Sequence, residues 1–292
     1  MITHTPVLSG KVIDFLTIDP EGIYVDTTLG LGGHAIQILN KLSKSGLLIG
    51  IDCDIQAIEI TRQKLSGYNN VKFVNDNFSN LKPVLDSLNI SKINGILFDL
   101  GVSSLHLDAT ERGFSFQSDS NLDMRMNQSM PMTAADIINT FPEAQLKQIF
   151  SEFGELYGTG KLIHRIIEKR KLSKINSTLA LVSIIKSCFP GYKMQMQAVR
   201  KVFMALRIYV NNELDNLKNI IGTGIDYLKP DGIMVIISYH SLEDRIVKHS
   251  FRKFASDNII ELLTSKPVIP ETEEINENSR AHSAKLRAVK KI

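Results

Sequence analysis

Apolar and polar positions fall into two regimes along this chain. Over the first hundred residues, short unbroken apolar runs alternate with stretches of helical spacing. Residues 22–26 (GIYVD), 46–52 (GLLIGID), 71–75 (VKFVN) and 93–99 (INGILFD) read as strands, and 33–44 and 55–65 read as helices. Strands that are nearly all apolar and separated by helices predict a parallel sheet covered on both faces, joined by right-handed crossovers. That is a doubly wound α/β domain. The alternation stops at residues 101–132, which are rich in Gly, Ser, Asp and Met and hold no sustained period. Residues 133–190 return to helical spacing, and one long helix is predicted over 197–228, with Gly222 and Gly224 as candidate interruptions. Pro230-Asp-Gly232 then turns the chain into another apolar strand, 233–238, and 284–289 reads as a closing edge strand. Because the strand pattern resumes after the helices, an insertion within one sheet explains the order better than two successive domains. The expected division is 1–105 and 208–292 in the α/β part and 106–207 in the helical part.

Charge sharpens this division. The whole chain carries a formal net charge of only +3. Residues 1–156 hold 11 Lys/Arg against 18 Asp/Glu, whereas 157–207 hold 11 against a single acid, Glu168. So many uncompensated cations in one helical stretch exceed what solubility needs, and a polyanion is the natural partner. The simpler alternative is a solvated face. The two cysteines, Cys53 and Cys188, make no disulfide framework, and no Cys/His array points to a structural metal. The first residues lack the basic and apolar regions of a signal peptide, and no apolar run approaches a membrane span. A soluble protein of a reducing compartment, the cytoplasm, is expected; a homodimer is left open.

Candidate chemistry gathers at the ends of the predicted strands. Gly30-Leu-Gly32-Gly33-His34-Ala35 lies between the first strand and the first helix, where glycines let the backbone approach a ligand. The alternative is a tight turn with no ligand. Asp52, at the end of the second strand, suits hydrogen bonds to ribose hydroxyls or is a solvated strand-end acid. Asp54 reads as the cap of the next helix. Phe78 suits packing on a purine ring or a place in the core. Asp99 ends the fourth strand, and Asp26, Asp52, Asp99 and His240 are expected to rim one crevice outside the carboxyl ends of the strands. His240 has a second reading as part of a helix start, with Ser241 as cap and Asp244 reaching back. The cations proposed to meet a polyanion are Lys161, Arg165, Lys169, Arg170, Arg200 and Arg207.

Ordered blocks along the chain carry a family resemblance. They include His4-Thr-Pro-Val-Leu8, Thr28-Leu-Gly-Leu-Gly-Gly-His34, Asp52-Cys-Asp54, Asp99-Leu-Gly-Val-Ser-Ser104, Arg112-Gly-Phe-Ser-Phe116 and Leu122-Asp-Met-Arg-Met126. Ala205-Leu-Arg-Ile-Tyr-Val-Asn-Asn-Glu-Leu214, Ser238-Tyr-His-Ser-Leu-Glu-Asp-Arg-Ile-Val-Lys248 and Ser279-Arg-Ala-His-Ser-Ala-Lys-Leu-Arg287 continue them. Together they resemble the bacterial 16S ribosomal RNA (cytosine-N4)-methyltransferases over essentially the whole length. The resemblance implies a class I S-adenosylmethionine-dependent methyltransferase fold interrupted by a helical substrate domain. It also implies methylation of a cytidine N4 in the decoding region of the small-subunit RNA. The cofactor positions it carries over are Gly32, Gly33, His34, Asp52, Phe78, Asp99 and His106, the last standing where relatives often have Gln. Two further departures are Met196-Gln197, where His-Pro is common, and Phe153-Gly-Glu-Leu156, where Tyr-Gly-Glu-Glu is usual.

For that reaction Asp99 is the expected catalytic group, with His240 a second candidate to receive the proton, and no metal is expected. Arg112 and Arg125 are expected RNA contacts near the target base. Two rival classes fit parts of the pattern. A nicotinamide-dependent dehydrogenase would share the glycine loop and Asp52, and an RNA-binding assembly factor would share the basic window without the chemistry.

Overall fold

The computed structural model describes residues 6–103, 105 and 111–292. The chain forms two compact units, Met1–Ser104 with Leu214–Ile292, and Leu105–Glu213. In chain order the first unit opens with α1 (Ser9–Leu16), β1 (Ile23–Asp26), α2 (Gly33–Leu39), β2 (Leu47–Asp52), α3 (Ile55–Lys64), β3 (Val71–Asn75), α4 (Leu81–Ser87) and β4 (Ile93–Asp99). The second unit follows, with α5 (Ala134–Thr140), α6 (Glu143–Glu152), α7 (Gly160–Leu172), α8 (Thr178–Cys188) and α9 (Tyr192–Asn211). After α10 (Glu213–Tyr227), the first unit closes with β5 (Leu228–Ser238), α11 (Ser241–Ser256), β6 (Ile260–Leu262), α12 (Thr272–Glu277) and β7 (Lys285–Lys291).

The first unit is a seven-stranded sheet in the order β3-β2-β1-β4-β5-β7-β6. Strands β1 to β5 pair in parallel, and β7 runs antiparallel to both β5 and β6. Successive side chains of a strand point to opposite faces, so a strand covered on both sides must be apolar at every position. In β2, Leu48 packs with Leu16 and Ile38 on one face, while Ile49 packs with Leu85 and Ile221 on the other. In β4, Leu97 and the Ile96–Phe98 pair divide the same way. Such double burial is why 93–99 was legible as a strand to the residue.

Some boundaries differ from the sequence expectation. The helix expected over 197–228 is two helices, because Asn212 adopts the left-handed conformation (φ 49°) and ends α9 there. Gly222 and Gly224 instead lie inside α10. Strand β7 is not the edge: the short, half-exposed β6 pairs outside it. Helix α11 starts one residue earlier than expected, with His240 as the cap and Glu243, not Asp244, closing the capping box. Asp244 is instead paired with Arg287 at 2.7 Å. Asp54 does cap α3, accepting from the Gln56 N–H at 3.0 Å.

The second unit packs α5–α9 around buried Ile138, Leu146, Phe150, Ile166, Ile185, Val202 and Leu206. Its irregular lead-in is pinned from α9 by buried Asn211. The Asn211 amide donates to the Met124 and Arg207 carbonyls at 2.8 Å, and its Oδ1 accepts from the Met126 N–H at 2.8 Å. No described helix is long and apolar enough to cross a membrane.

Candidate active site

The loop after β1 is tied down from both sides. Thr27 donates its N–H to the Leu97 carbonyl of β4 at 3.0 Å, and Leu29 donates to the Ile51 carbonyl of β2 at 2.9 Å. Thr28 Oγ1 accepts the Asp99 N–H at 2.7 Å, and Thr61 Oγ1 donates to the Gly30 carbonyl at 2.7 Å. These bonds drape the backbone over the carboxyl ends of the central strands. Gly30 (φ +49°) and Gly32 (φ +74°) hold left-handed conformations that a side chain would strain. At Gly32 a Cβ would also meet Thr61 Cγ2 at 2.7 Å, so the close approach of loop and α3 requires glycine.

Asp52 braces this loop. Its Oδ2 accepts the Gly30 N–H at 2.7 Å and its Oδ1 accepts the Asp54 N–H at 2.9 Å. One carboxylate thereby fixes both the glycine turn and the start of α3. Phe78 follows β3 on a single helical turn, half-buried, with its ring edge-on to Phe98 at 6.0 Å.

Around Asp99 the structure assembles a buried polar cluster. Tyr239 donates its hydroxyl hydrogen to Asp99 Oδ1 at 2.7 Å, and His34 Nε2 faces Asp99 Oδ2 at 3.6 Å. The Asp99 side chain remains 23% exposed, so the carboxylate that Tyr239 supports is still reached by solvent. Burial pushes the Tyr239 phenol far up, reinforced by the Asp99 charge and bond, and keeps it a donor. Burial also disfavours charged His34, but Asp99, with Asp26 and Glu274, more than offsets that and raises its pKa. Asp26, wholly buried, is pushed up to about 7 by burial. His34 and the Thr28 N–H oppose that rise, while Asp99 and Asp52 add to it.

Asp26, Asp52 and Asp99 thus lie at the ends of three adjacent strands. His240 sits at the end of β5, occupied in building α11. Its Nδ1 accepts the Glu243 N–H at 3.4 Å, and its Nε2 lies 3.2 Å from Glu243 Oε1. Glu243 Oε2 in turn accepts the Tyr239 N–H at 2.8 Å, so among the described residues His240 is linked to Asp99 through Glu243 and Tyr239. His106 lies outside the described residues. Sequence reasoning missed Tyr239 and the buried state of Asp26. The signal for Tyr239 was its place just past β5, the strand that pairs with β4.

The basic side chains divide into two groups. Arg112 is only 4% exposed and donates to the carbonyls of Arg125 and Met126 at 2.9 and 2.8 Å. Arg125 grips Asp123 through Nε and Nη2, both at 2.8 Å, and bonds the carbonyls of Gln128 and Met130 through Nη1. Arg170 bonds the carbonyls of Ile138 and Phe141 at 2.8 Å, and Arg207 holds Glu213 in a two-point pair at 2.9 Å. These four, expected as RNA contacts, spend their hydrogen bonds inside the unit. Lys161, Arg165, Lys169 and Arg200 are exposed to solvent.

A sheet in this order with β7 reversed, a glycine loop after β1 and acids closing β1, β2 and β4 defines a class I S-adenosylmethionine-dependent methyltransferase. The model of the MraW methylase family matches residues 1–292, and the chain belongs to that family. It is similar to proteins named Ribosomal RNA small subunit methyltransferase H. The relative from Caldicellulosiruptor saccharolyticus is 44% identical over 100% of both chains. That from Halothermothrix orenii is 40% identical over 100% of this chain and 99% of its own. That from Fusobacterium nucleatum is 40% identical, covering 99% and 97%.

S-adenosylmethionine is the cofactor of this family, and the residues present fit it. The loop brings bare backbone to the strand ends, a half-buried aromatic ring stands beside β3, and both ring nitrogens of buried His34 have no hydrogen-bond partner among the described residues. Replacing Asp52 with alanine should weaken cofactor binding by about 1.5–3 kcal/mol, the scale of hydrogen bonds to a charged acceptor. Isothermal titration checks this, and an unchanged affinity would take Asp52 out of the cofactor site.

Proposed function

We propose that the protein methylates the exocyclic N4 amino group of a cytidine in the decoding region of 16S ribosomal RNA, in the cytoplasm. The observation that carries the reading is Asp99, a partly exposed carboxylate at the end of β4, one oxygen of which is held by Tyr239. When bound, S-adenosylmethionine supplies an electrophilic methyl group, and no metal is called for. Gly32, Gly33, His34, Asp52 and Phe78 would hold the cofactor, with Asp52 offering its carboxylate to ribose hydroxyls and Phe78 its ring to the adenine.

The amino nitrogen of cytosine is a poor nucleophile, because its lone pair is delocalised into the ring. Asp99 Oδ1 is taken by the Tyr239 hydroxyl, while Oδ2 faces His34 Nε2 at 3.6 Å, too far for a hydrogen bond, and so keeps lone pairs for an amino hydrogen. That bond favours the pyramidal nitrogen and opposes the positive charge developing on it. Asp99 is then the group that receives the proton. His240 serves by fixing Glu243 and, through it, the Tyr239 backbone. The target base must leave its stack to reach a crevice at the strand ends. The helical unit grips flanking phosphates through Lys161, Arg165, Lys169 and Arg200, while Arg112, Arg125, Arg170 and Arg207 shape that unit.

The test is mass-spectrometric mapping of 16S ribosomal RNA from cells with and without the active protein. One cytidine should lose an N4 methyl group when the protein is absent. Identical methylation in both would overturn the assignment, and a change at another base or atom would overturn its N4-cytidine part.

A further inference from the structure

The second unit carries two aromatic rings that its own packing leaves unused. Five of its other aromatics pair with one another: Phe116 meets Phe203 at 5.6 Å, and Tyr209 meets both Phe141 and Phe153, at 5.6 and 6.0 Å. Tyr157 and Tyr192, by contrast, are 75% and 76% exposed. Neither makes a ring contact or a hydrogen bond among the described residues. A large aromatic surface held in water gains nothing for the folded chain by itself.

The two rings belong to one end of the unit. Helices α7 and α8 run antiparallel, since Cys188 Sγ at the end of α8 lies 3.9 Å from the Lys161 carbonyl at the start of α7. Tyr157 precedes Lys161 by four residues, and Tyr192 follows Cys188 by four. The chain on either side is fixed. Lys201 Nζ holds the Glu155 carbonyl at 2.7 Å, and Gln195 Nε2 holds the Phe189 carbonyl at 3.1 Å. Exposed Lys161, Arg165 and Lys193 stand at the same end. The only acid within 157–207, Glu168, is paired with His164 at 3.3 Å.

We propose that this end of the helical unit is a stacking platform for unpaired RNA bases, with Tyr157 and Tyr192 as the rings and Lys161, Arg165 and Lys193 neutralising the phosphates between them. Exposed rings interleaved with cations are how proteins hold single strands: the π-face takes any base, and the charge follows the backbone. A duplex keeps its bases stacked on each other and has none to offer the rings. The proposal rests on the RNA reading above and names the residues that select an unpaired strand.

The experiment compares the full-length protein with Tyr157→Ala, Tyr192→Ala, Tyr157→Phe and Lys161→Ala. The probes are a short unstructured single-stranded RNA and a duplex of the same length, titrated by fluorescence anisotropy across a salt series. Each tyrosine-to-alanine change should weaken single-strand binding by roughly 5- to 100-fold, the scale of one lost base stack, without changing the salt slope. The duplex affinity should not move, and Tyr157→Phe should bind as the unaltered protein does. Lys161→Ala should make the log–log salt slope shallower by about 0.7. S-adenosylmethionine binding should be the same in every variant, which separates loss of a contact from loss of fold. If the unaltered protein binds with a steep salt slope but the tyrosine variants match it, the platform is wrong and the RNA reading stands. Equal losses for strand and duplex would also overturn it. If the unaltered protein itself binds neither RNA, the RNA reading fails, and the surface belongs to a protein partner instead.

Discussion

Replacing Asp99 with asparagine is expected to slow methyl transfer by roughly 10²- to 10⁴-fold, the span measured for loss of a positioned proton acceptor or a preorganised charge. The substitution is nearly isosteric, so the hydrogen bond from the Asp99 N–H to Thr28 Oγ1 and the packing of β4 are kept. What changes is the polarity of the outer atom. The Tyr239 hydroxyl is a donor, and it would claim the one amide oxygen in place of Oδ1. The amide nitrogen would then stand where Oδ2 stands, presenting hydrogens to the hydrogens of the substrate amino group. Both the acceptor and the negative charge are lost in one step. Single-turnover transfer of a labelled methyl group to ribosomal RNA measures the effect, with cofactor and RNA affinities followed separately. A variant that transfers within a few-fold of the unaltered rate, with its fold intact, would remove Asp99 from the chemistry.

The central sheet was legible because its burial is symmetrical. Strands such as β2 and β4 touch both cores, so beyond Asn94 near the start of β4 nothing polar interrupts them until the strand-end acid. The same logic hides β6, a three-residue strand at the outer edge whose Glu261 faces solvent. The break between α9 and α10 was hidden for another reason. Apolar spacing continues across Asn212, and only its backbone conformation separates the helices. Charge behaved similarly. The excess of cations in 157–207 can be counted from sequence, but their partners cannot. Arg170 is held by main-chain carbonyls and Arg207 by Glu213, just outside the counted window.

Within the site, the acids were legible as strand ends and their neighbours were not. Asp99 is placed by its own strand, whereas the Tyr239 hydroxyl that supports it arrives from 140 residues away. His240 illustrates two readings satisfied by one residue. It stands at the crevice end of β5, yet its nitrogens serve the capping box of α11. A titratable residue at a strand end is therefore weak evidence for proton transfer until its hydrogen bonds are known.

Asp26 gives the second large effect, and it appears in stability. The unfolded chain holds this carboxyl near 3.8, while in the folded protein burial pushes it up to about 7. Below the lower value both states carry the proton, and Asp26 contributes no pH dependence. Between the two values the folded state binds more protons than the unfolded one, so stability falls as pH rises, by about 1.4 kcal/mol per pH unit at most. Above the upper value the loss is complete, at about 4 kcal/mol. Asparagine mimics the protonated acid: its amide oxygen can keep the Thr28 N–H, which Asp26 Oδ1 now accepts at 3.2 Å, and it has no charge to desolvate. Asp26→Asn should therefore match the unaltered protein under acid conditions and become the more stable of the two across this window, with a constant difference beyond it. Urea unfolding of both proteins without cofactor, from about pH 4 to above pH 7, reads the difference directly and cancels the titration of the other carboxylates. A difference that stays flat through the window would mean that the folded carboxyl titrates as it does in the unfolded chain. His34 would then be neutralising it in full, and the buried pair, rather than a lone raised acid, would be the unit to substitute.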